Sequence, residues 1–357
     1  MSIRYRVVAG QDIDEGLVQA WRDIQGTHPW MASPYLSPEF TQTVAQVRRD
    51  VFVTVMEDGA KPIGFFPHQK QGSRAVPVAG HLNDCQTIIA DPQAGWSATD
   101  LLKGSGLSLW DFDHLKIENT PFEPFSHATD VSPVINLKDG FELYAQARKE
   151  AGTKRIEKLI RSRRKLERDS GGDGSVRFEA LSSNSSVLNQ VITWKIEQCE
   201  RTGTYPYFKD LWTVELVERL LALQSPGCSG ALSVLWVNDD IAAAHFGMRS
   251  PDIWHYWFPT YDSRWFSYSP GAIQLLDLCQ HLCQPEVSQH MIDLGKGDDP
   301  YKTSFATEAY ELWEGYISHK SAYTKARTAG RSLRDWSRHT PVLEPARRLR
   351  AMLKTRR

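Results

Sequence analysis

In the first half of the chain, short apolar blocks separated by turn residues predict strands more often than helices. VFVTVM and PIGFFP flank Asp58-Gly59, a combination that predicts a β-hairpin. Short strands are expected near AVPVAG and CQTIIA and again at LSLWDFDHL, with helices around Asp14–Ile24 and Ala98–Lys103. The run FELYAQARKEAGTKRIEKLIRSRRKLERDSGG reads as one helix that stops at Gly171-Gly172.

The second half is more regular. VRFEAL predicts a strand, followed by helices from Ser186 to about Glu200 and over Asp210–Leu223. Three strands follow, ALSVLWV, IAAAHFGMR and IWHYWFPTY, joined by tight turns at Asn238-Asp239-Asp240 and Ser250-Pro251-Asp252. A helix AIQLLDLCQHL, a strand HMIDLG, a helical turn at Pro300–Phe305 and a strand YELWEGYI complete the order β-α-α-β-β-β-α-β-α-β. Hairpins combined with crossover helices require a mixed, partly antiparallel sheet, so the fold class is α/β. VFVTVMEDGAKPIGFF and LSVLWVNDDIAAAHFG repeat strand, polar turn and strand in each half, which suggests two copies of one fold. The expected division is 1–140, a basic connecting helix at 141–172, a second half at 173–320, and a basic tail at 321–357.

Composition narrows the function classes. The chain has 357 residues, 41% hydrophobic and 24% charged, with a formal net charge of −1. It lacks the electropositive balance of a dedicated nucleic-acid binder. The charge is uneven, however: Lys154–Arg168 holds eight Lys/Arg against two acids, and the stretch from Gly330 holds nine against two. The first segment intersperses Ile156, Leu159, Ile160 and Leu166, which makes an amphipathic helix. The tail places Leu349, Met352 and Leu353 near one side, a pattern that suits peripheral contact with an anionic membrane. No apolar run is long enough to span a bilayer and none resembles a secretory signal, so a cytoplasmic protein, in contact with the inner face of the membrane through this tail, is expected. Five cysteines without C-x-x-C fit reduced thiols. No resident metal or cofactor is expected.

P-loop, dinucleotide-binding, G-x-S-x-G and H-E-x-x-H signatures are missing, which removes most support for the corresponding enzyme classes. Three segments carry chemistry instead. In YSPG, Ser269 is a capping residue type, Pro270 suits the first helical position and Gly271 removes side-chain bulk. A helix that opens this way, with Ala272 in its first turn, offers amides to a pyrophosphate, or is simply well capped. His245 and His255 flank a turn near Ser250, with Asp262 at the next strand end. Paired across that turn they share a face, and His245 is then a candidate base. Asp84 and Gln86 are polar residues in an apolar stretch, suited to acceptor hydroxyls or to a loop backbone.

Together with DLGKGDDPYKTSF and GHLNDCQTIIAD, these strings closely resemble the CelD/BcsL-type acetyltransferases of cellulose and exopolysaccharide synthesis. That family belongs to the GNAT acyltransferase superfamily and is related to the Fem peptidoglycan aminoacyltransferases. The resemblance implies two GNAT-like halves and an acyl-CoA or acyl carrier protein donor as co-substrate. Tyr268, Ser269, Gly271 and Ala272 would hold the donor, although the usual R/Q-x-x-G-x-G/A is replaced here by WFSYSPGA after Arg264. It implies Tyr301 as the acid for the departing thiolate and Lys302 as a contact for anionic substrate. Asp84, Gln86, His255 and Asp262 would face a sugar or lipid acceptor, for which a sphingoid base is one candidate.

Overall fold

The computed structural model describes residues 3–319, so the basic tail expected at 321–357 lies outside the described residues. The first half supplies strands β1 (Ile3–Ala9), β2 (Val51–Asp58), β3 (Lys61–Gln71), β4 (Arg74–Val76), β5 (Ile89–Ala90), β6 (Leu109–Lys116) and β7 (Ser126–Asn136). Its helices are α1 (Glu15–Gln25), α2 (Pro38–Val47) and α3 (Ala98–Gly104). Helices α4 (Phe141–Glu150) and α5 (Arg155–Asp169) lead into the second half. There follow β8 (Val176–Glu179), α6 (Ser185–Thr202), α7 (Leu211–Ala222), β9 (Ser229–Val237), β10 (Asp240–Arg249) and β11 (Ile253–Tyr261). The chain continues through α8 (Pro270–His281), β12 (Met291–Asp293), α9 (Pro300–Phe305) and β13 (Glu308–Ser318). The element order predicted for the second half is the order observed.

The sequence pattern does not reveal that the strands form one sheet. Its order is β1-β2-β3-β4-β6-β13-β7-β12-β11-β10-β9-β8, with β5 attached to β3. Each half gives its last strand to the other: β7 pairs with β12, while β13 lies between β6 and β7. The boundary read near residue 140 falls just after β7, and hydrogen bonding continues across it. The sheet is mixed, most pairs being antiparallel and β4–β6 and β11–β12 parallel.

One face of the sheet is covered by α1, α2, α6 and α7, around a core that includes Trp21, Phe40, Leu216 and Phe246. The other face of the second half carries α4, α5 and α8 over Leu159, Trp254 and Ile273. A third core under α3 holds Leu101, Trp110 and Phe122. Because the first core mixes side chains of both halves, neither half can bury its apolar surface alone.

One local expectation changes. The single basic helix expected over FELYAQARKE…SGG is broken between α4 and α5, where Gly152 turns left-handed at φ +84°. Strands β1 and β7 and helix α2 were not legible either. The segment SHATDVSPVIN is polar and contains a proline, and it is a strand because β13 and β12 supply partners from far along the chain. Among the described residues no helix is long and apolar enough to cross a membrane.

Candidate active site

Strands β11 and β12 run parallel for only three pairs, ending at His255 opposite Asp293. Beyond His255, the edge of β11 that faced β12 has no strand partner among the described residues. The two chains part, and a cavity of about 1300 Å³ opens there and extends between the halves. Its walls include Tyr256 and Trp257 of β11, the start of α8, the loop after β12, and Asp84 and His114 from the first half.

The parting coincides with a bulge. Phe246 faces Phe258 but Met248 faces His255, so β11 has one residue more than β10 across this step. Gly247 sits opposite, where a Cβ would lie 2.1 Å from the His255 carbonyl oxygen. The amide of Trp257 instead donates to His245 Nε2 at 3.1 Å. That fixes the imidazole proton on Nδ1, 3.3 Å from Ser233 Oγ, and the ring stacks on Tyr256 with centroids 3.9 Å apart.

The structure does not bring His245, the expected base, to the cavity. The residue is 0% exposed, it does not line the cavity, and both nitrogens are engaged. Burial, with the charge of His255 second, pushes its pKa well below the ordinary value and keeps it neutral. The expected pairing across Ser250 also fails. Ser250 N–H bonds to Ile253 O, which sets Met248 opposite His255 and turns the two histidines to opposite faces of the sheet.

His255 belongs to a different cluster. Its Nε2 lies 3.2 Å from Asp84 Oδ2, and its Nδ1 is 3.8 Å from Asp293 Oδ2. Asp293 Oδ1 accepts from Gly295 N–H at 2.9 Å and from Ser132 Oγ at 2.5 Å. Burial alone would lower the His255 pKa, but the neighbouring Asp293 and Asp84 carboxylates raise it to about 9. Burial raises and His255 lowers Asp293, with a net shift far below the usual carboxylate range. The result is an imidazolium between two carboxylates, tying the halves together at the apex of the parted strands.

The start of α8 is open. Ser269 is left-handed, at φ 62°, and its side chain makes no cap bond, contrary to its expected capping role. Its carbonyl takes the amides of Ala272 and Ile273, and Pro270 has no amide hydrogen. The Gly271 amide is thus the donor left without an acceptor among the described residues, and a Cβ there would meet only Tyr261, at 3.6 Å. Arg155 lines the same cavity without a carboxylate partner among the described residues. Tyr268 does not line the cavity. Its carbonyl accepts from Ser162 Oγ at 2.7 Å and its hydroxyl donates to Asp169, which fastens the junction to α5.

The remaining candidates divide. Tyr301 lines the cavity, and burial, with Asp299 second, keeps its phenol protonated by raising its pKa. Lys302 lines it too, but its ammonium donates to the carbonyls of Gly295 (3.0 Å) and Lys296 (2.6 Å), so it holds the loop after β12 in place. Asp262 caps the turn 263–268, binds Arg264 through Nε at 2.7 Å and does not line the cavity. Gln86 is 5% exposed and outside the cavity wall. The sequence reading passed over Lys195 of α6, which lines the cavity over the Tyr207 and Phe258 rings. It also passed over Asp113 and His114. An adjacent Asp-His pair on a predicted strand was the only available signal.

Residues 153–303 match the acetyltransferase (GNAT) domain family. No curated protein matches the sequence. Among solved structures, FemX superposes with a TM-score of 0.53 at 9% identity, over 91% of this chain and 99% of that one. The C-terminal DUF2156 domain, from Agrobacterium fabrum, of a protein assigned as a lysylphosphatidylglycerol synthetase superposes with a TM-score of 0.51 at 12% identity. It covers 88% of this chain and 96% of its own. Residues 153–303, the segment that contains the parted strands and the open helix start, are thus similar to the acetyltransferase (GNAT) domain family, and the chain shares the fold of FemX.

Proposed function

We propose that the protein transfers an acyl group from acyl-CoA, or an acyl carrier protein, to an amine or hydroxyl acceptor bound between its halves. The observation that carries this reading is the parting of β11 from β12 beside the open Gly271 amide. An extended thioester arm laid into the gap would meet the bare edge of β11 as a further strand does, and its pyrophosphate would reach the start of α8 and Arg155. The acceptor would approach from the first half, where Asp84 faces the cavity. Attack on the thioester carbonyl develops an oxyanion, and one backbone amide aimed at it is worth about 3–4 kcal/mol. Tyr301 would return a proton to the departing thiolate.

The CelD/BcsL resemblance directs the acceptor toward cell-envelope or exopolysaccharide synthesis. A second reading, long-chain acylation of a lipid amine such as a sphingoid base, is supported by the exposed Tyr205, Tyr261 and Phe266 on the cavity wall. These rings suit an acyl chain as well as a sugar. Turnover of acetyl- and palmitoyl-CoA with glucosamine and with sphinganine distinguishes the two. Gly271→Trp should weaken thioester binding by about tenfold or more, measured by native mass spectrometry; unchanged binding removes the site.

A further inference from the structure

One histidine in the cavity wall has no part in the assembly described so far. His114 of β6 has its Nδ1 2.9 Å from Asp113 Oδ1. Gln86 grips both residues: its Nε2 donates to Asp113 Oδ1 at 2.8 Å, and its Oε1 accepts the amides of Asp113 (3.1 Å) and His114 (3.3 Å). Lys296 braces the same strand by donating to the Asp113 carbonyl at 2.8 Å. Burial would raise the Asp113 pKa, but His114, Gln86 and Lys296 bring it to about 2, so the carboxylate is ionised. An ionised carboxylate at Nδ1 keeps the proton there and leaves the Nε2 lone pair free. That Nε2 is 3.9 Å from Asp84 Oδ1, and the other Asp84 oxygen rests on His255, the last residue of β11 paired to β12. The lone pair therefore lies by the apex of the parted strands.

We propose that His114 is the general base of the transfer, with Asp113 and Gln86 as its positioning residues. This rests on the acyl-transfer reading above. The acceptor nitrogen or oxygen attacks the thioester carbonyl, forming the new C–N or C–O bond as its proton passes to His114 Nε2. The tetrahedral intermediate then expels the thiolate. The C–S bond breaks, the sulfur takes a proton from Tyr301 or the imidazolium, and a proton from the imidazolium restores any phenolate. The products are amide or ester plus thiol, with no oxidant or further reactant. Gln86 so acquires a purpose the sequence alone did not suggest: it fixes the strand that carries the base.

Thiol release from acetyl-CoA and palmitoyl-CoA, with glucosamine, sphinganine or water as acceptor, tests the assignment. His114→Gln is expected to bind both thioesters like the parent by calorimetry while kcat falls about 10²–10⁴-fold. Asp113→Asn should lower kcat about tenfold at constant KM, because the imidazole loses the carboxylate that holds its proton on Nδ1. The carboxylates beside His114 are Asp113 on its own strand and Asp84 from the loop before β5. Near-parental kcat in His114→Gln, with thioester binding intact, overturns the base and leaves the acyl-transfer reading standing. A parent that binds neither thioester, or binds them and turns over none even to water, overturns both. Should His114→Gln fail to fold, a parental kcat in Asp113→Asn overturns the base by itself.

Discussion

The two faces of β11 use the same residue type in opposite ways. On the face toward α8, His245 is neutral, sealed and engaged at both ring nitrogens, and it accepts the Trp257 amide at the bulge. On the opposite face, His255 is cationic, because Asp84 and Asp293 outweigh the cost of its burial. Burial is equal at the two sites: each histidine is 0% exposed. The carboxylates decide the difference, and they come from the loop before β5 and the end of β12. A histidine in a buried strand therefore carries no intrinsic functional meaning until its neighbours are known.

This contrast can be broken from either side. The largest effect is expected at Gly247, which faces the bulge: Gly247→Val forces a side chain into the His255 carbonyl and should cost about 3 kcal/mol or more in a denaturation experiment. His245→Ala should cost less, about 1–3 kcal/mol, because it leaves the buried Trp257 amide without an acceptor. At a temperature where this variant is folded, its turnover should remain within a few-fold of the parent, as suits a residue outside the cavity. Gly271→Trp should reverse that pattern. Its melting temperature should hold, since the position is open, while thioester affinity falls by about tenfold or more, roughly 1.4 kcal/mol.

The two histidines also predict opposite slopes of stability with pH. His255 has a folded pKa of about 9, above its unfolded value, so its contribution is complete below about pH 6.5 and is lost as pH rises through 9. His245 is shifted downward, so its contribution is present above about pH 6.5 and is lost as pH falls below that. In urea titrations, His255→Gln should flatten the alkaline slope and His245→Gln the acid slope; the same slope change in both would refute the contrast. The smallest effect is expected for Tyr301→Phe. If the phenol only assists the leaving thiolate, kcat should fall a few-fold while stability is unchanged.

The second half was legible in order and type because its strands are apolar blocks with unambiguous turn residues between them. The opening at YSPG was legible too, since Pro270 and Gly271 allow few local conformations, although Ser269 adopts a left-handed backbone in place of capping. In the first half, β7 went unread because its strand character is lent by distant partners. The pairing of His245 with His255 failed for a register reason. A turn closed by Ser250 and Ile253, followed by a bulge, sets faces that side-chain alternation cannot anticipate.

Taken alone, the amino-acid order determined the elements of the second half, the α/β class and the bend before α8, all of which follow from local periodicity and turn chemistry. Only the tertiary structure decided that β7 and β13 change places between the halves, and that Asp84, His114, His255 and Asp293 meet at one point. The physical reason is that periodicity constrains neighbours along a few turns of chain. Strand exchange and the protonation of a buried imidazole are set by groups far apart in sequence, whose proximity the sheet alone creates.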